Sequence, residues 1–188
     1  MLFRSFQSNG EMASRYQNLY TGVSEKTNST GPESEQGDGI LMAQELGAKL
    51  VDMQFVTTIA WLYGGRGISD ENRELAKGMK LLVNGDAQRF VDDSKYNNTN
   101  AAGAQEDGIY YMVSDKEMID IVGSDRIADF ETRGVLFTAD TLAETAELAG
   151  LDAEALQATV DAFNDYVDAG EDPDFGRKEF KGKVEEGP

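Results

Sequence analysis

Apolar residues recur every three or four positions in several stretches of the chain, and this spacing predicts amphipathic helices. One such stretch covers residues 10–19. The next begins at a Gly-Asp-Gly turn, residues 37–39, where Asp38 suits the N-cap because its carboxylate can accept hydrogen bonds from free first-turn amides. We expect Gly47 to end this second helix, since the residue after a helix often takes a left-handed conformation that favours glycine.

Residues 138–170 predict two consecutive helices with clear boundaries. Thr141 and Glu144 have the spacing of a capping box, and Gly150 follows the first helix. Asp152 suits the N-cap of the second helix, which presents one apolar face. The residues on that face are Leu156, Val160, Phe163 and Val167. We therefore expect a helical hairpin near the C-terminal end of the chain.

Short apolar runs between the helical stretches predict strands. The dipeptide Asn84-Gly85 is typical of a tight hairpin turn between two of these runs. Asp115 suits the N-cap of a further helix that extends to about Val122. The runs that we expect to form strands are residues 49–56, 79–84, 88–91, 109–113 and 133–137. This mixture of helices and strands predicts an α+β fold.

The chain is strongly acidic and lacks two residue types on which much protein chemistry depends. Its 188 residues have a formal net charge of −18 and include neither cysteine nor histidine. Disulfides, thiolate catalysis and metal sites built on these two residue types are therefore excluded within the chain. Nucleic acids and anionic membranes attract clustered basic residues, so we expect neither as a partner.

Two further kinds of site are unsupported by the sequence. No apolar run approaches the length of a membrane span, so we expect no membrane insertion. The acidic tract Asp165–Asp174 lacks the ligand spacing of a calcium-binding loop, and we interpret it as a solvated acidic face. We therefore expect no metal site.

Four blocks of the sequence resemble, in the same order, the flavoprotein subunit family of fumarate reductase and succinate dehydrogenase. The similarity is to the soluble, flavocytochrome-like branch. The first block is a lead-in with Phe6, Asn9, Glu11 and Met12, and the second is GDGILMAQELGAKLVDMQF at residues 37–55. The third is LLVNGDAQRFVDD at 81–93, and the fourth comprises the C-terminal helices and the following DPDFGR segment. The resemblance extends from about residue 6 to residue 177.

This resemblance implies FAD as the cofactor and divides the chain into two parts. Residues 1–55 would belong to the end of an FAD-binding domain, and residues 56–188 to a clamp (capping) domain. Gly37, Asp38 and Gly39 would then bind the cofactor. The turn alone is more typical of a plain helix cap, and it is the longer match that favours cofactor binding. We expect the G-x-G-x-x-G pyrophosphate fingerprint upstream, because the chain contains none. Without that half of the FAD-binding domain, we expect the chain alone to be inactive.

The resemblance also identifies candidate positions for substrate chemistry. In this family a hydride passes from reduced flavin to fumarate while an arginine delivers the proton. Asn97 occupies the position of that arginine, and an amide cannot donate a proton as a guanidinium does. Tyr96 is a candidate substitute donor, although it also suits an ordinary loop position. The family's substrate-binding histidine corresponds to Ile59, and its Thr-Glu pair to Ser69 and Asp70.

We therefore interpret the chain as a fragment of an FAD-dependent oxidoreductase of the fumarate reductase-like superfamily. Its substrate would be a small organic molecule other than fumarate. The alternative is a non-catalytic acidic α+β binding module that retains the clamp scaffold. Expected partners are the substrate, the remainder of the FAD-binding domain and an electron-donor protein or domain. The prokaryotic cytoplasm and the periplasm are equally compatible with the sequence.

Overall fold

The computed structural model describes residues 5–17, 25, 29, 31–55, 77–94, 99–106 and 109–185. The helices in these ranges are α1 (Gly10–Tyr16), α2 (Asp38–Glu45), α3 (Thr99–Gly103), α4 (Glu117–Val122), α5 (Ser124–Thr132), α6 (Leu142–Ala149) and α7 (Ala153–Ala169). The strands are β1 (Leu81–Val83) and β2 (Tyr111–Val113). None of these helices combines the length and the apolar character that a membrane span requires.

The two strands form a small antiparallel sheet. Leu81 lies opposite Val113, and Val83 lies opposite Tyr111. All three residues of β1 are buried, whereas those of β2 are half-buried. The sheet therefore joins two segments that are distant in sequence and places β1 within the core.

The turn after β1 is held by the side chain of Asn84. Its Oδ1 accepts hydrogen bonds from the amides two and four residues later, at 3.1 and 2.9 Å. The left-handed residue of this turn is Ala87, with a φ of 58°. After the turn, the chain pairs with β1 only at a single antiparallel bridge between Val83 and Arg89. The predicted strand over residues 88–91 is therefore wrong, because the regular ladder of β1 is made with β2.

The larger hydrophobic core lies between β1 and the two C-terminal helices. Helix α7 contributes Leu156, Val160 and Phe163, which share one face and are each at most 2% exposed. The other buried members of this core are Leu81, Val83, Ala87, Leu142, Ala146, Leu151 and Val184. Full burial of a large apolar side chain contributes roughly 1.5–3 kcal/mol, so this cluster is a main source of stability.

Local side-chain contacts set the ends of α6 and α7. Thr141 Oγ1 accepts a hydrogen bond from the amide of Glu144 at 3.2 Å, and Asp152 Oδ1 accepts one from Ala155 at 2.8 Å. Gly150 ends α6 in a left-handed conformation with a φ of 73°. These three residues take the roles that the sequence predicts, because each role depends only on near neighbours in the chain.

Helices α4 and α5 form a second, smaller core, and α5 has no counterpart among the sequence predictions. The buried members of this core are Met118, Val122, Ile127 and Phe130. The strand predicted over residues 133–137 is wrong, since these residues instead terminate α5. Gly134 is left-handed, and the amide of Val135 bonds to the carbonyl of Phe130 at 3.1 Å, as in a Schellman motif.

The segment after α2 also differs from its prediction. Gly47 follows the helix in a left-handed conformation, as expected, but residues 49–55 form no strand. Asp52 is itself left-handed with a φ of 58°, which interrupts an extended backbone. Val51 and Phe55 are mainly exposed, so this segment lacks the burial expected of a central strand. The predicted boundary between residues 55 and 56 adjoins residues 56–76, which lie outside the described ranges.

Candidate functional site

The Gly-Asp-Gly turn opens helix α2, but its capping residue is Gly37. This glycine is buried, with a φ of 84° in the left-handed region. A Cβ added there would lie 2.6 Å from Sδ of Met12. Asp38 is the first residue of the helix and is exposed. The predicted N-cap role of Asp38 is therefore wrong, because the positive φ and the close packing both require a glycine at the N-cap position.

Asn9 joins the lead-in segment to this turn. Its Oδ1 accepts a hydrogen bond from the amide of Met12 at 2.9 Å and thereby caps α1. Its Nδ2 donates to the carbonyl of Gln36, immediately before the turn, at 2.9 Å. The side-chain Nε2 of Gln36 donates in turn to the carbonyl of Ser8 at 3.0 Å. Helix α1 and the start of α2 are thus held together by side chains.

The start of α2 has features that suit a polar group of a cofactor. No side chain caps the helix, so its first turn can receive an external hydrogen-bond acceptor. Helix N-termini also attract negative charge. The exposed carboxylate of Asp38 stands at the same place, where it would repel a phosphate and accept hydrogen bonds from hydroxyl groups. A hydroxyl group would therefore suit this turn better than a phosphate group.

Helix α2 and the segment after it present an uncovered apolar surface. Helix α2 contains no buried residue, and Leu46 is 90% exposed. We call this the α2 surface; its residues are Leu41, Met42, Leu46, Val51 and Phe55. Five large apolar side chains exposed to water between residues 41 and 55 are typical of a segment that another part of a protein covers.

The other predicted site residues lie outside the described residues. These are Ile59, Ser69, Asp70, Tyr96 and Asn97. Their substrate-binding and catalytic roles therefore stay predictions, as do the cofactor contacts of Gly39, which lies in the first turn of α2. Within the described ranges, no group of acidic side chains is arranged to hold a metal ion.

Four charged side chains are buried together near β1. Arg177 is 1% exposed, and its Nη1 donates hydrogen bonds to the carboxylate of Asp93 and to the carbonyl of Lys80, the latter at 2.6 Å. Its Nε donates to the carbonyl of Glu179 at 2.6 Å. We call the four side chains the ionic core; they are Arg89, Asp93, Asp172 and Arg177.

Arg89 connects the two carboxylates of the ionic core. Its Nη2 donates to Asp172 Oδ2 at 2.8 Å, and its Nε lies 3.6 Å from Asp93 Oδ2. Within the part of the chain that the structure describes, its buried Nε and Nη1 have no hydrogen-bond acceptor. The guanidinium instead lies 5.1 Å from the ring centre of Phe175 and 5.5 Å from that of Phe163. These cation–π contacts partly replace the missing hydrogen bonds.

The interpretation of residues 165–174 as a solvated acidic face is wrong for one of its members. Asp172 is 2% exposed and paired with Arg89, whereas Asp165 and Asp168 are exposed. Sequence reasoning missed the ionic core because charged residues are mostly exposed. The available signal was that Arg89 and Asp172 both lie within blocks of the family resemblance, Arg89 next to Phe90 and Asp172 three residues before Phe175.

The burial of Asp172 leads to a prediction of pH-dependent stability. Burial raises the pKa of its carboxyl group. The hydrogen bond and charge of Arg89, together with hydrogen bonds from backbone amides, lower this pKa by more, so that it lies below its usual range. A lowered pKa adds stability above the unfolded value, and this stability is lost as the pH falls through the folded value. Asp172→Asn should therefore lower the free energy of unfolding by about 2 kcal/mol at pH 7, and by less below about pH 4.

Urea denaturation followed by circular dichroism, from pH 7 down to pH 2, measures this difference. The matched control is Asp168→Asn, which alters an exposed ion pair with Lys183. We expect the control to change stability by less than about 1 kcal/mol. A difference between wild type and Asp172→Asn that stays constant over the whole pH range would contradict the linkage.

Similarity to known proteins identifies the family to which the chain belongs. The family model described as an FAD binding domain matches residues 13–186, which include the Gly-Asp-Gly turn and the ionic core. The chain belongs to this family. Its members bind FAD, and the chain's relatives place it among the fumarate reductase-like flavoproteins.

Two curated relatives within this flavoprotein family align with nearly the whole chain. Urocanate reductase of Eggerthella lenta is 33% identical over 97% of the chain and 31% of its own length. NADH:acrylate oxidoreductase of Vibrio harveyi is 30% identical over 97% of the chain and 19% of its own length. The chain thus spans less than a third of either relative.

The chain also shares its fold with a solved structure. It is the open conformation of a flavocytochrome c3 fumarate reductase, with a TM-score of 0.81 and 23% identity. The similarity covers 99% of the chain and 32% of that structure. The described helices and the small sheet therefore adopt a fold that occurs in flavocytochrome fumarate reductase.

Proposed function

We propose that the chain is part of an FAD-dependent oxidoreductase that transfers hydride between flavin and a small organic substrate. The observation that carries the proposal is the match to the FAD-binding family over residues 13–186. In this proposal residues 1–55 end the FAD-binding domain, and residues 56–188 form most of the clamp domain. Bound FAD would supply or accept the hydride, while the chain's own residues would position the substrate and transfer the proton.

The α2 surface supports the proposal that another part of an FAD-binding domain packs against this chain. Leu46, Val51 and Phe55 are 90%, 75% and 69% exposed, and they adjoin the turn proposed to bind the cofactor. Covering these side chains would contribute about 25 cal/mol per Å² of apolar surface removed from water. The chain spans only 31% of the length of urocanate reductase, so a protein of that length would provide further polypeptide to cover them.

Asp38 is the residue of the turn that we propose contacts FAD through its side chain. Its carboxylate is exposed at the start of α2 and can accept hydrogen bonds from a cofactor hydroxyl. Gly37 has a different role, because its left-handed conformation and its contact with Met12 set the direction in which α2 begins. Gly39 allows close approach of the cofactor to the first helical turn.

An asparagine at position 97 favours a substrate other than fumarate. In fumarate chemistry of the resembled family, the position of Asn97 holds an arginine that delivers the proton. Urocanate reductase and NADH:acrylate oxidoreductase are named for unsaturated acids with one carboxylate, whereas fumarate has two. We therefore favour an unsaturated monocarboxylic acid. Ile59, Ser69 and Asp70 are the candidate residues beside it.

The test uses the full-length protein encoded by the reading frame that contains this chain. We expect the purified protein to show flavin absorbance and to oxidise a reduced dye when an unsaturated monocarboxylate is added. Urocanate, acrylate and fumarate would be compared under anaerobic conditions. A protein that folds but binds no flavin would favour the non-catalytic binding module. Fastest turnover with fumarate would contradict the proposed substrate class while leaving the flavoenzyme assignment intact.

We expect Tyr96→Phe in the full-length enzyme to lower kcat by about 10²–10⁴-fold, the usual contribution of a positioned acid or base. The hydroxyl group is the only part of the side chain that the variant removes. Tyr166→Phe is the matched control, because the hydroxyl of Tyr166 donates to Asp174 at the partly exposed surface of α7. Undiminished turnover of Tyr96→Phe would exclude Tyr96 as the proton donor.

A further inference from the structure

The dipeptide Asn-Gly occurs twice in the chain, as Asn9-Gly10 and as Asn84-Gly85. This dipeptide can modify itself, because the amide nitrogen of the glycine can attack Cγ of the asparagine side chain and close a cyclic imide. Glycine favours the attack, since it has no Cβ to hinder the approach of its nitrogen. The two copies have the same local chemistry, so a difference in their reactivity has to come from the fold.

The fold leaves the second copy free to react. Within the part of the chain that the structure describes, neither Nδ2 of Asn84 nor the amide of Gly85 has a hydrogen-bond partner. Gly85 is exposed, and a Cβ added there would meet no atom within 4 Å beyond its two chain neighbours. The attacking nitrogen and the leaving group are therefore both unobstructed, and water reaches the turn.

Two backbone amides lie where the reaction develops negative charge. They belong to Asp86 and Gln88, and they donate to Oδ1 of Asn84 at 3.1 and 2.9 Å. When the nitrogen of Gly85 bonds to Cγ, Oδ1 becomes an oxyanion, and N–H groups about 3 Å away stabilise such an anion. The amide of Ala87 also donates to the carbonyl of Asn84 at 3.0 Å, which holds the turn closed around these donors.

The fold holds the first copy at both ends of its side chain. Oδ1 of Asn9 accepts from the amide of Met12, and its Nδ2 donates to the carbonyl of Gln36, each at 2.9 Å. Gly10 is the first residue of α1, and a Cβ added there would collide with the carbonyl oxygen of Glu25. Ring closure at Asn9 would have to break both hydrogen bonds and move a closely packed start of a helix.

We propose that Asn84 is a site of spontaneous deamidation in the folded protein, and that Asn9 is protected from it. The bond between the nitrogen of Gly85 and Cγ of Asn84 forms as the amide proton passes to solvent. The bond between Cγ and Nδ2 then breaks, and Nδ2 takes a proton from water and leaves as ammonia. Water opens the succinimide at Cγ to give aspartate, or at the backbone carbonyl carbon to give isoaspartate. Nothing is oxidised or reduced, and water is the only co-reactant.

The turn does not require a glycine at position 85, and this supplies a test variant. The φ of Gly85 lies outside the left-handed region, which the turn instead reaches at Ala87. Gly85→Ala should therefore fold as the wild type does. We expect it to slow the reaction at Asn84 by about tenfold, equivalent to about 1.4 kcal/mol in the barrier, because the added methyl group hinders the attacking nitrogen.

The experiment incubates the 188-residue chain at pH 8, folded or unfolded in guanidinium chloride, and follows both sites by mass spectrometry. Trypsin releases them in separate peptides, residues 5–15 and 81–89, whose masses rise as an oxygen atom replaces an NH group. In the folded chain we expect Asn84 to react at least about tenfold faster than Asn9. In guanidinium chloride the two rates should agree within about threefold, because the fold no longer distinguishes the sites.

A smaller ratio of the two rates in the folded chain would overturn the proposal, as would a ratio that persists in guanidinium chloride. It would also fail if Gly85→Ala, shown by circular dichroism to be folded, reacted as fast as the wild type. If that variant does not fold, the comparison of Asn84 with Asn9 in the wild type still decides. No arm of the experiment requires flavin, so its outcome is separate from that of the proposed function.

Discussion

Arg177→Met should lower the free energy of unfolding by about 3–5 kcal/mol, because it leaves the buried carboxylate of Asp93 without its main partner. Arg177 is 1% exposed and donates to Asp93, Lys80 and Glu179, so its loss also leaves two carbonyl groups without these hydrogen bonds. Urea denaturation of the 188-residue chain at pH 7, followed by circular dichroism, measures the change. A loss of less than 1 kcal/mol would contradict this account of the ionic core.

Two further variants separate the burial of the pair from its charge. Lys183→Met is the matched control, since Lys183 lies in the same C-terminal segment as Arg177 but is 41% exposed in its ion pair with Asp168. We expect it to cost less than about 1 kcal/mol. The double variant Asp93→Leu, Arg177→Met should be more stable than Arg177→Met alone, because no unpaired charge is then buried. A double variant that loses the sum of both single effects would exclude this coupling.

Phe163→Ala should also lower the free energy of unfolding by about 3–5 kcal/mol, the usual range for truncation of a buried phenylalanine. Phe163 is fully buried on α7, and its ring centre lies 6.0 Å from that of Phe180 in the segment after α7. The guanidinium groups of Arg89 and Arg177 lie 5.5 and 5.3 Å from its ring centre. The truncation would therefore leave a cavity and remove two cation–π contacts at once.

The same denaturation measurement tests this prediction. Leu148→Ala on α6 is the control, since Leu148 is 58% exposed and should change stability by less than about 1 kcal/mol. Phe163→Leu retains most of the volume and removes the aromatic ring, so we expect an intermediate loss. If Phe163→Leu were as stable as wild type, the ring's contacts with the two guanidinium groups would contribute nothing measurable.

The parts of the fold that sequence reasoning predicted well are those set by near neighbours. Thr141 and Asp152 cap helices because a hydroxyl or a carboxylate reaches an amide three residues later. Gly47 and Gly150 end helices because glycine adopts the left-handed conformation without strain. The family resemblance was likewise confirmed, since its blocks are contiguous stretches that comparison with relatives detects directly.

The parts that sequence reasoning predicted poorly depend on contacts between distant residues. Residues 49–55 have the apolar composition of a strand, but no strand forms there. The predicted strand at 88–91 was reduced to one bridge because β1 pairs with β2 instead. In the site, Asp38 was assigned the cap because its carboxylate suits that role, whereas the packing of Met12 against the turn requires Gly37 there.

The sequence by itself determined the family, the cofactor that its members bind, and the ends of α6 and α7, because these follow from contiguous motifs and short-range hydrogen bonds. Only the tertiary structure decided which charged residues are buried. Arg89 and Asp172 are 83 positions apart, and Asp93 and Arg177 are 84 apart, so no local pattern predicts that they meet. Their burial is stable because the fold brings both signs of charge together beside aromatic rings, away from water.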